Sequence, residues 1–285
     1  MKKLNLNNFM LQLDYQKKFN EEERKLYASI CEGLQRQMDE SVLWLKSDEG
    51  KKAYNERSEY LDYFWEYEMG LPRRLDNIGE YNAVATRDNF IAMFYSQGIK
   101  MGVEVLNKPV VFTPADIETL DFIKQNSYDS IKNLNNDVKN SIKNIIFEDI
   151  AQNNSYQKTI NKIRELPLNP TANGKLSPDV RARFIARTER ARARGYGSLQ
   201  AYVDYGVEYY ELITRGKKAC NICIDLEANN PYHISDSRAY VPIHPNCICS
   251  NAPYIPDGQT LRDTPVDFPV SIADYVDLTM NPNRL

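Results

Sequence analysis

The stretch 220-CNICIDLEANNPYHISDSRAYVPIHPNCIC-249 holds four of the chain's five cysteines and both of its histidines. Its spacing is Cys220-x2-Cys223, then twenty residues, then His244-x2-Cys247-x-Cys249. A C-x2-C pair bends the chain until both sulfurs face one point, and a second pair from a distant turn completes a tetrahedron. His-Pro-Asn-Cys can serve as that turn, because Pro245 and Asn246 favour a tight reversal. Cys220, Cys223, His244, Cys247 and Cys249 are therefore the candidate ligands of one structural Zn2+, with four of the five completing the site. Cys247 and Cys249 are two apart and face the same side of an extended segment, so the spacing does not choose between them.

Other readings of the cluster explain less. A redox pair of Cys220 and Cys223 leaves three neighbouring candidates without a role, and four free thiols in a core are the plainest alternative. A catalytic zinc fits poorly. The zinc deaminases need H-x-E ahead of P-C-x-x-C, whereas the order here is reversed with no H-x-E, and there is no H-E-x-x-H. Disulfides rarely persist in a cytoplasm. His233 has no partner at ligand spacing and reads as a surface or loop residue. Cys31 reads as a small buried hydrophobe in a helix.

Around the cluster the pattern is that of a small α+β unit. VEYYELIT (207–214) is rich in β-branched and aromatic residues and predicts a strand, CIDLEAN predicts a helical turn, and CICSNAPYI is a second apolar stretch. A metal clasp would pin two strand ends around a polar loop, which matters most where the core is thin.

Upstream, RARFIARTERARARG (181–195) carries six arginines and one glutamate. Arg183, Arg187, Arg190 and Arg194 fall within a sector of about 60° on a helix, a candidate contact for phosphates or an acidic partner. Ala182, Ala186, Ala193 and Glu189 lie on another side, suited to close packing. Ion pairs with the acidic N-terminal half are the competing use of the arginines. Without interleaved aromatics, base stacking on a single strand is disfavoured, so any DNA contact is to the backbone and salt-sensitive. Residues 175–218 hold ten Lys/Arg against five Asp/Glu in a chain of net charge −3, so the basic element is local. Ser177-Pro178-Asp179 predicts the start of this helix, Gly195 and Gly197 its end, and SLQAYVDYG a further short helix closed by Gly206.

The first hundred residues space apolar side chains at three and four and predict helices, followed by the Tyr/Glu-rich EYLDYFWEYEMG. Thr113 is the expected N-cap of a helix with Pro114 at its first position and Asp116 in its first turn. Ile117, Leu120, Ile123, Ile131, Leu134, Val138, Ile142 and Ile145 mark its apolar stripe, as one helix of about 35 residues or two broken near Asn126–Ser127. Ser155 caps a shorter helix through Leu166. LPLNPTANGKLSP (166–178) reads as a loop and a boundary. The expected division is a helical region at 1–112, a long and a short helix at 113–170, the α+β Cys/His module at 171–255 and an extended acidic tail at 256–285, ordered only where it meets a partner. No run approaches the roughly 18 apolar residues of a membrane span, and MKKLNLNNFMLQLDYQKKF lacks the apolar region of a secretory signal.

In that order and spacing, IARTERARARGYG, GVEYYELITRGKKACNIC and VPIHPNCIC followed by NAPY resemble the phage head morphogenesis family, the minor head proteins like the F protein of phage Mu. The likeness covers roughly residues 130–255, with SYQKTINKIRELP at the place of the family's short helix. The resemblance implies a low-copy component of the virion. Such a protein is made in the host cytoplasm, sits inside the capsid near the portal protein, acts with other capsid proteins in head assembly and, in some members, contacts or accompanies packaged DNA through ejection. It maps Arg187, Thr188 and Glu189 onto the signature helix turn and the five Cys/His residues onto the family's Cys/His positions. Ile248 stands where the family is expected to carry an arginine, so an anionic contact at that position does not carry over. Some relatives carry toxin domains beyond this module, for which about thirty residues are too few. No phosphate-binding Gly loop, nucleophile elbow or cofactor fingerprint occurs, and the expectation is a protein that is not an enzyme. Glu189 beside Arg187 reads more simply as a packing ion pair than as a catalytic one. The alternative function is a sequence-independent DNA-binding zinc protein acting outside a virion.

Overall fold

The computed structural model describes residues 6–48, 50, 51, 54, 71–152, 154–166, 178–216, 219–266 and 269–276. Among them the fold is α+β and mostly helical. The helices are α1 (Leu6–Lys46), α2 (Leu71–Leu106), α3 (Pro114–Ala151), α4 (Tyr156–Glu165), α5 (Pro178–Asp204) and α6 (Asn221–Glu227). The strands β1 (Tyr209–Ile213), β2 (Tyr232–His233) and β3 (Ser250–Tyr254) form one antiparallel sheet in the order β2-β1-β3. No helix of the described residues is long and apolar enough to cross a membrane.

The chain divides into two compact units assembled from discontinuous stretches. One takes Met1–Lys25, Asp88–Ser127 and Phe184–Leu285, the other Leu26–Arg87 and Tyr128–Arg183. The expected segments at 1–112, 113–170, 171–255 and 256–285 are consecutive, so they do not coincide with these units. The expected boundary loop, apart from its ends Leu166 and Pro178, and the Tyr/Glu-rich stretch 59–70 lie outside the described residues.

The second unit is built on apolar periodicity. Leu26, Ile30, Leu34 and Met38 of α1 are buried, as are Ile131, Leu134, Val138, Ile142 and Ile146 of α3 and Ile160 and Ile163 of α4. Spacing of three and four puts each set on one helix face. The turn from α3 into α4 is tied by a buried carboxylate: Asp149 accepts from Lys162 Nζ at 2.5 Å, Thr159 Oγ1 at 2.9 Å and Asn154 Nδ2 at 2.8 Å. Ser155 is the N-cap of α4, as its sequence position predicts.

The first unit holds the sheet and an aromatic core. Tyr210 and Leu212 of β1 point inward. The Tyr210 and Tyr196 rings meet the edge of Tyr240 at centroid distances of 5.3 and 5.9 Å. At the start of α3, Asp116 Oδ2 accepts from the Thr113 backbone N–H at 2.6 Å and Oδ1 from the Tyr95 hydroxyl at 2.7 Å. The first of these is the reciprocal half of a capping box. The stripe expected to begin at Ile117 begins later, since Ile117 is 65% exposed. The inward positions of that turn belong instead to Asp116 and Thr119, which join a polar network: Thr119 Oγ1 donates to Gln200 Oε1 at 3.1 Å and lies 2.7 Å from Ser271 Oγ. The helix also runs unbroken past Asn126, whose side chain donates back to the Phe122 carbonyl at 3.0 Å rather than interrupting the ladder.

Two further expectations are corrected. α5 does not stop at Gly195 and Gly197 but continues to Asp204. A Cβ on Gly98 of α2 would overlap the Arg194 carbonyl oxygen, and one on Gly197 the Tyr95 carbonyl oxygen. These glycines let two helix backbones touch, so the α5 glycine marks a crossing rather than an end. The described part of the tail is secured within its own unit, not left for a partner. Arg262 and Val266 donate their backbone N–H to the carbonyls of Tyr205 and Asp204 at 3.1 and 2.9 Å, and Ile272 is fully buried.

Candidate metal centre

Local structure brings the two halves of the cluster together. Cys220 is the N-cap of α6, and one helical turn places Cys223 beside it. Pairing of β3 with β1, which leads into α6, returns Cys247 and Cys249 to the same place just ahead of β3. His244 Nε2 lies 3.2 Å from Cys220 Sγ and 3.4 Å from Cys223 Sγ. The ligand atoms of Cys220, Cys223 and His244 lie within 4.8 Å of one another, and so do those of Cys223, Cys247 and Cys249. A tetrahedral zinc with ordinary bond lengths sets its ligand atoms about 3.6 to 3.8 Å apart, so this donor set fits a metal ion of that kind. Cys223 belongs to both groups. Cys247 and Cys249 are both within reach and both buried, whereas Cys220 is exposed.

The imidazole is oriented with one nitrogen toward the sulfurs. His244 Nδ1 lies 2.8 Å from the Pro245 carbonyl oxygen, which can only accept. That acceptor fixes a proton on Nδ1 and leaves Nε2 as the nitrogen facing the sulfurs. Burial lowers the ring's affinity for a second proton, but the Pro245 bond and the nearby Cys247 and Cys220 raise it. Charge is shared unevenly among the thiols. Hydrogen bonds from Cys223 and then Cys249 bring Cys247 down to about 2. Bonding to Cys247 and Cys249, with burial, drives Cys223 upward. At Cys249 the bond to Cys223 works downward, but the neighbouring Cys247 and burial outweigh it and push the thiol up to about 12. Burial works upward at Cys220 as well, but hydrogen bonds from Cys223 and the neighbouring His244 outweigh it and lower that thiol. A divalent cation would displace the protons that the cluster keeps.

The signature helix turn and the His-Pro-Asn-Cys turn are parts of the same site. Asn246 has φ of +64°, the left-handed conformation that asparagine tolerates better than most side chains. Its backbone N–H donates to Thr188 Oγ1 at 2.8 Å, and its Oδ1 accepts from Arg187 Nη1 at 2.8 Å. Glu189 is buried and paired with Arg192 at 3.2 Å, and Ala182, Ala186 and Ala193 are fully buried, as the close-packing reading of that face expects. The sequence reading did not single out Asn246 as the joint; the signal available was an asparagine after proline in a tight turn.

The arginine stripe faces inward. Arg187, Arg190 and Arg194 line a cavity of about 380 Å³ together with Glu23, Arg215 and the loop Cys247–Asn251. Arg190 and Arg194 are 9% and 6% exposed, so these two do not form part of an open track. Arg183 lies elsewhere, its guanidinium 5.6 Å from the centroid of the Tyr27 ring. Sequence reasoning missed Glu23 and Arg215, which come from distant stretches with no motif of their own. His233 is exposed beside Ser235, a surface residue as expected but in β2 rather than a loop, and Cys31 is half-buried.

Comparison with protein-family models, with curated proteins and with solved structures finds no match for this chain.

Proposed function

We propose that the chain is a structural component of a phage head, a minor head protein of the portal vertex, whose α+β module is stapled by one Zn2+. The observation that carries this reading is the joining of the three motifs behind the family resemblance. The Arg187-Thr188 turn holds Asn246, and the C-x2-C and H-P-N-C-x-C halves converge next to it. Motifs that match a pattern by accident have no reason to be hydrogen-bonded to one another. In this reading the zinc ion supplies only a cross-link, with four of Cys220, Cys223, His244, Cys247 and Cys249 as ligands, and the chain has no catalytic role. The buried pairing of Glu189 with Arg192 accords with that assignment, since it occupies the carboxylate. Portal and other capsid proteins are its partners, and the capsid interior its place.

The deciding experiment is particle assembly from the phage genome that encodes this chain, with and without it, followed by mass spectrometry of purified heads. The expected result is a few copies per head that co-purify with the portal ring after the shell is dissociated. Its absence from purified heads would defeat the proposal. A DNA-binding zinc protein acting outside the virion is the weaker alternative, because Arg190 and Arg194 are buried rather than displayed along an outer face.

A further inference from the structure

The arginine-lined cavity has the properties of a built site rather than a gap in packing. Arg187, Arg190, Arg194 and Arg215 line it, and among the described lining residues Glu23 is the one carboxylate, with Cys247 and Cys249 of the candidate metal cluster at its edge. Glu23 is already engaged, its Oε1 by Arg187 Nε at 2.9 Å and its Oε2 by Arg190 Nη2 at 3.2 Å. Among the described residues, Arg190 Nε and Nη1 are buried with no hydrogen-bond partner. Leaving charged donors dry and unmatched is costly, so the arrangement calls for an acceptor from outside the chain. Burial, together with the charges of Arg190 and Arg215, brings Arg194 down to about 9, so an added anion would be drawn to this group of cations.

The missing acceptor can be sized by volume and charge. About 380 Å³ lies at the small end of the roughly 300–1,000 Å³ that ligand clefts span. A carboxylate brings one negative charge, whereas a phosphate monoester brings about −1.5 to −2 and offers tetrahedral oxygens that several guanidinium forks can share. Two linked phosphoryl groups fit the room and give several arginines an oxygen each. We propose that this cavity binds a phosphoryl anion of diphosphate size, with the buried Arg190 and Arg194 and the exposed Arg215 as its donors. The source is either a free diphosphate or phosphates of a nucleic-acid strand that enters the cavity, a contact distinct from the outer-face track that the burial of Arg190 and Arg194 disfavours. The site stands on the cavity alone and does not depend on the chain's being a head protein.

Isothermal titration of the zinc-loaded full chain with inorganic pyrophosphate tests it, with acetate as a control and a short DNA oligonucleotide as a second arm. The expected result is saturable binding of one pyrophosphate, not reproduced by acetate. Arg215→Gln and Arg190→Gln should each weaken it about tenfold or more, the loss of one charge-assisted hydrogen bond. Arg183→Gln, at an arginine that does not line the cavity, should leave it unchanged. Oligonucleotide binding that pyrophosphate displaces and Arg215→Gln weakens would identify the phosphodiester as the source, and pyrophosphate binding alone the free anion. Should Arg190→Gln fail to fold, the exposed Arg215 decides. No saturable binding of either probe, equal binding of acetate, or affinity indifferent to Arg215→Gln overturns the proposal. Oligonucleotide binding that pyrophosphate leaves untouched lies elsewhere on the chain and excludes the phosphodiester as the source.

Discussion

Asn246 meets three demands at once: a positive φ, a backbone N–H directed at Thr188, and a side-chain oxygen for Arg187. Replacing it separates these demands. Asn246→Ala should cost about 2 kcal/mol, from left-handed strain and a lost acceptor, whereas Asn246→Gly keeps the backbone and should cost less. Urea unfolding of the zinc-loaded protein measures the difference, and equal losses would mean the strain is immaterial. Thr188→Val leaves the Asn246 N–H without its acceptor and should cost about 1–3 kcal/mol in the same assay. Asp204 makes a different kind of prediction. Burial pushes its carboxyl up to about 7, against the hydrogen bond from Gln200 and with help from Asp116. The folded chain keeps a proton that the unfolded chain releases near pH 4, so this group's contribution is complete below about pH 4 and lost as pH rises through about 7. Asp204→Asn, which can still accept from Gln200, should therefore gain stability over the parent above pH 7, on the order of a few kcal/mol. The gain should vanish toward about pH 4. Paired urea midpoints across that range read it directly, and a difference independent of pH would show that Asp204 does not titrate in this way.

Between helices, the contact of α2 with α5 rests on glycine. Gly98→Ala and Gly197→Ala each force a methyl into a neighbouring carbonyl and should cost about 1–3 kcal/mol or more, seen as a lowered melting temperature. Gly33, where nothing lies near the added carbon, is the control. The α5 glycines also show where sequence reading reaches its limit. A glycine inside a helical pattern signals either a stop or a close approach, and only the backbone opposite it distinguishes the two. Elements with local causes were legible: the Ser155 cap, the Thr113-Pro114-Asp116 start, the alternation of β1 and the ligand spacing of the cysteines. Ile117 misled because periodicity counts apolar residues and cannot see the polar network that takes their place at Asp116 and Thr119. Glu23 and Arg215 were illegible because the cavity they complete exists only after folding.

Across the whole chain, the candidate metal ligands all fall in the unit that contains the sheet, while α4 and the Asp149 cluster fall in the other. Chelation should therefore act on one unit selectively. Holding residues 220 to 249 as a closed loop contributes about 3–4 kcal/mol in the chain-entropy picture. Amide exchange should quicken at 207–254 when zinc is removed and stay unchanged at 131–150, with Cys223→Ser reproducing the effect; equal quickening in both stretches would refute the assignment. Ligand protonation competes with the metal, so the chelated pattern should also appear on acidification. The contact between α2 and α5 has a consequence of another sort, in descent. Where two backbones touch, no single substitution that adds a side chain is neutral, so positions 98 and 197 should drift far less than the helix surfaces around them. A distant relative should be traceable by small residues at those two places together with the Cys/His spacing, even after its arginines and its N-terminal helices have changed beyond recognition.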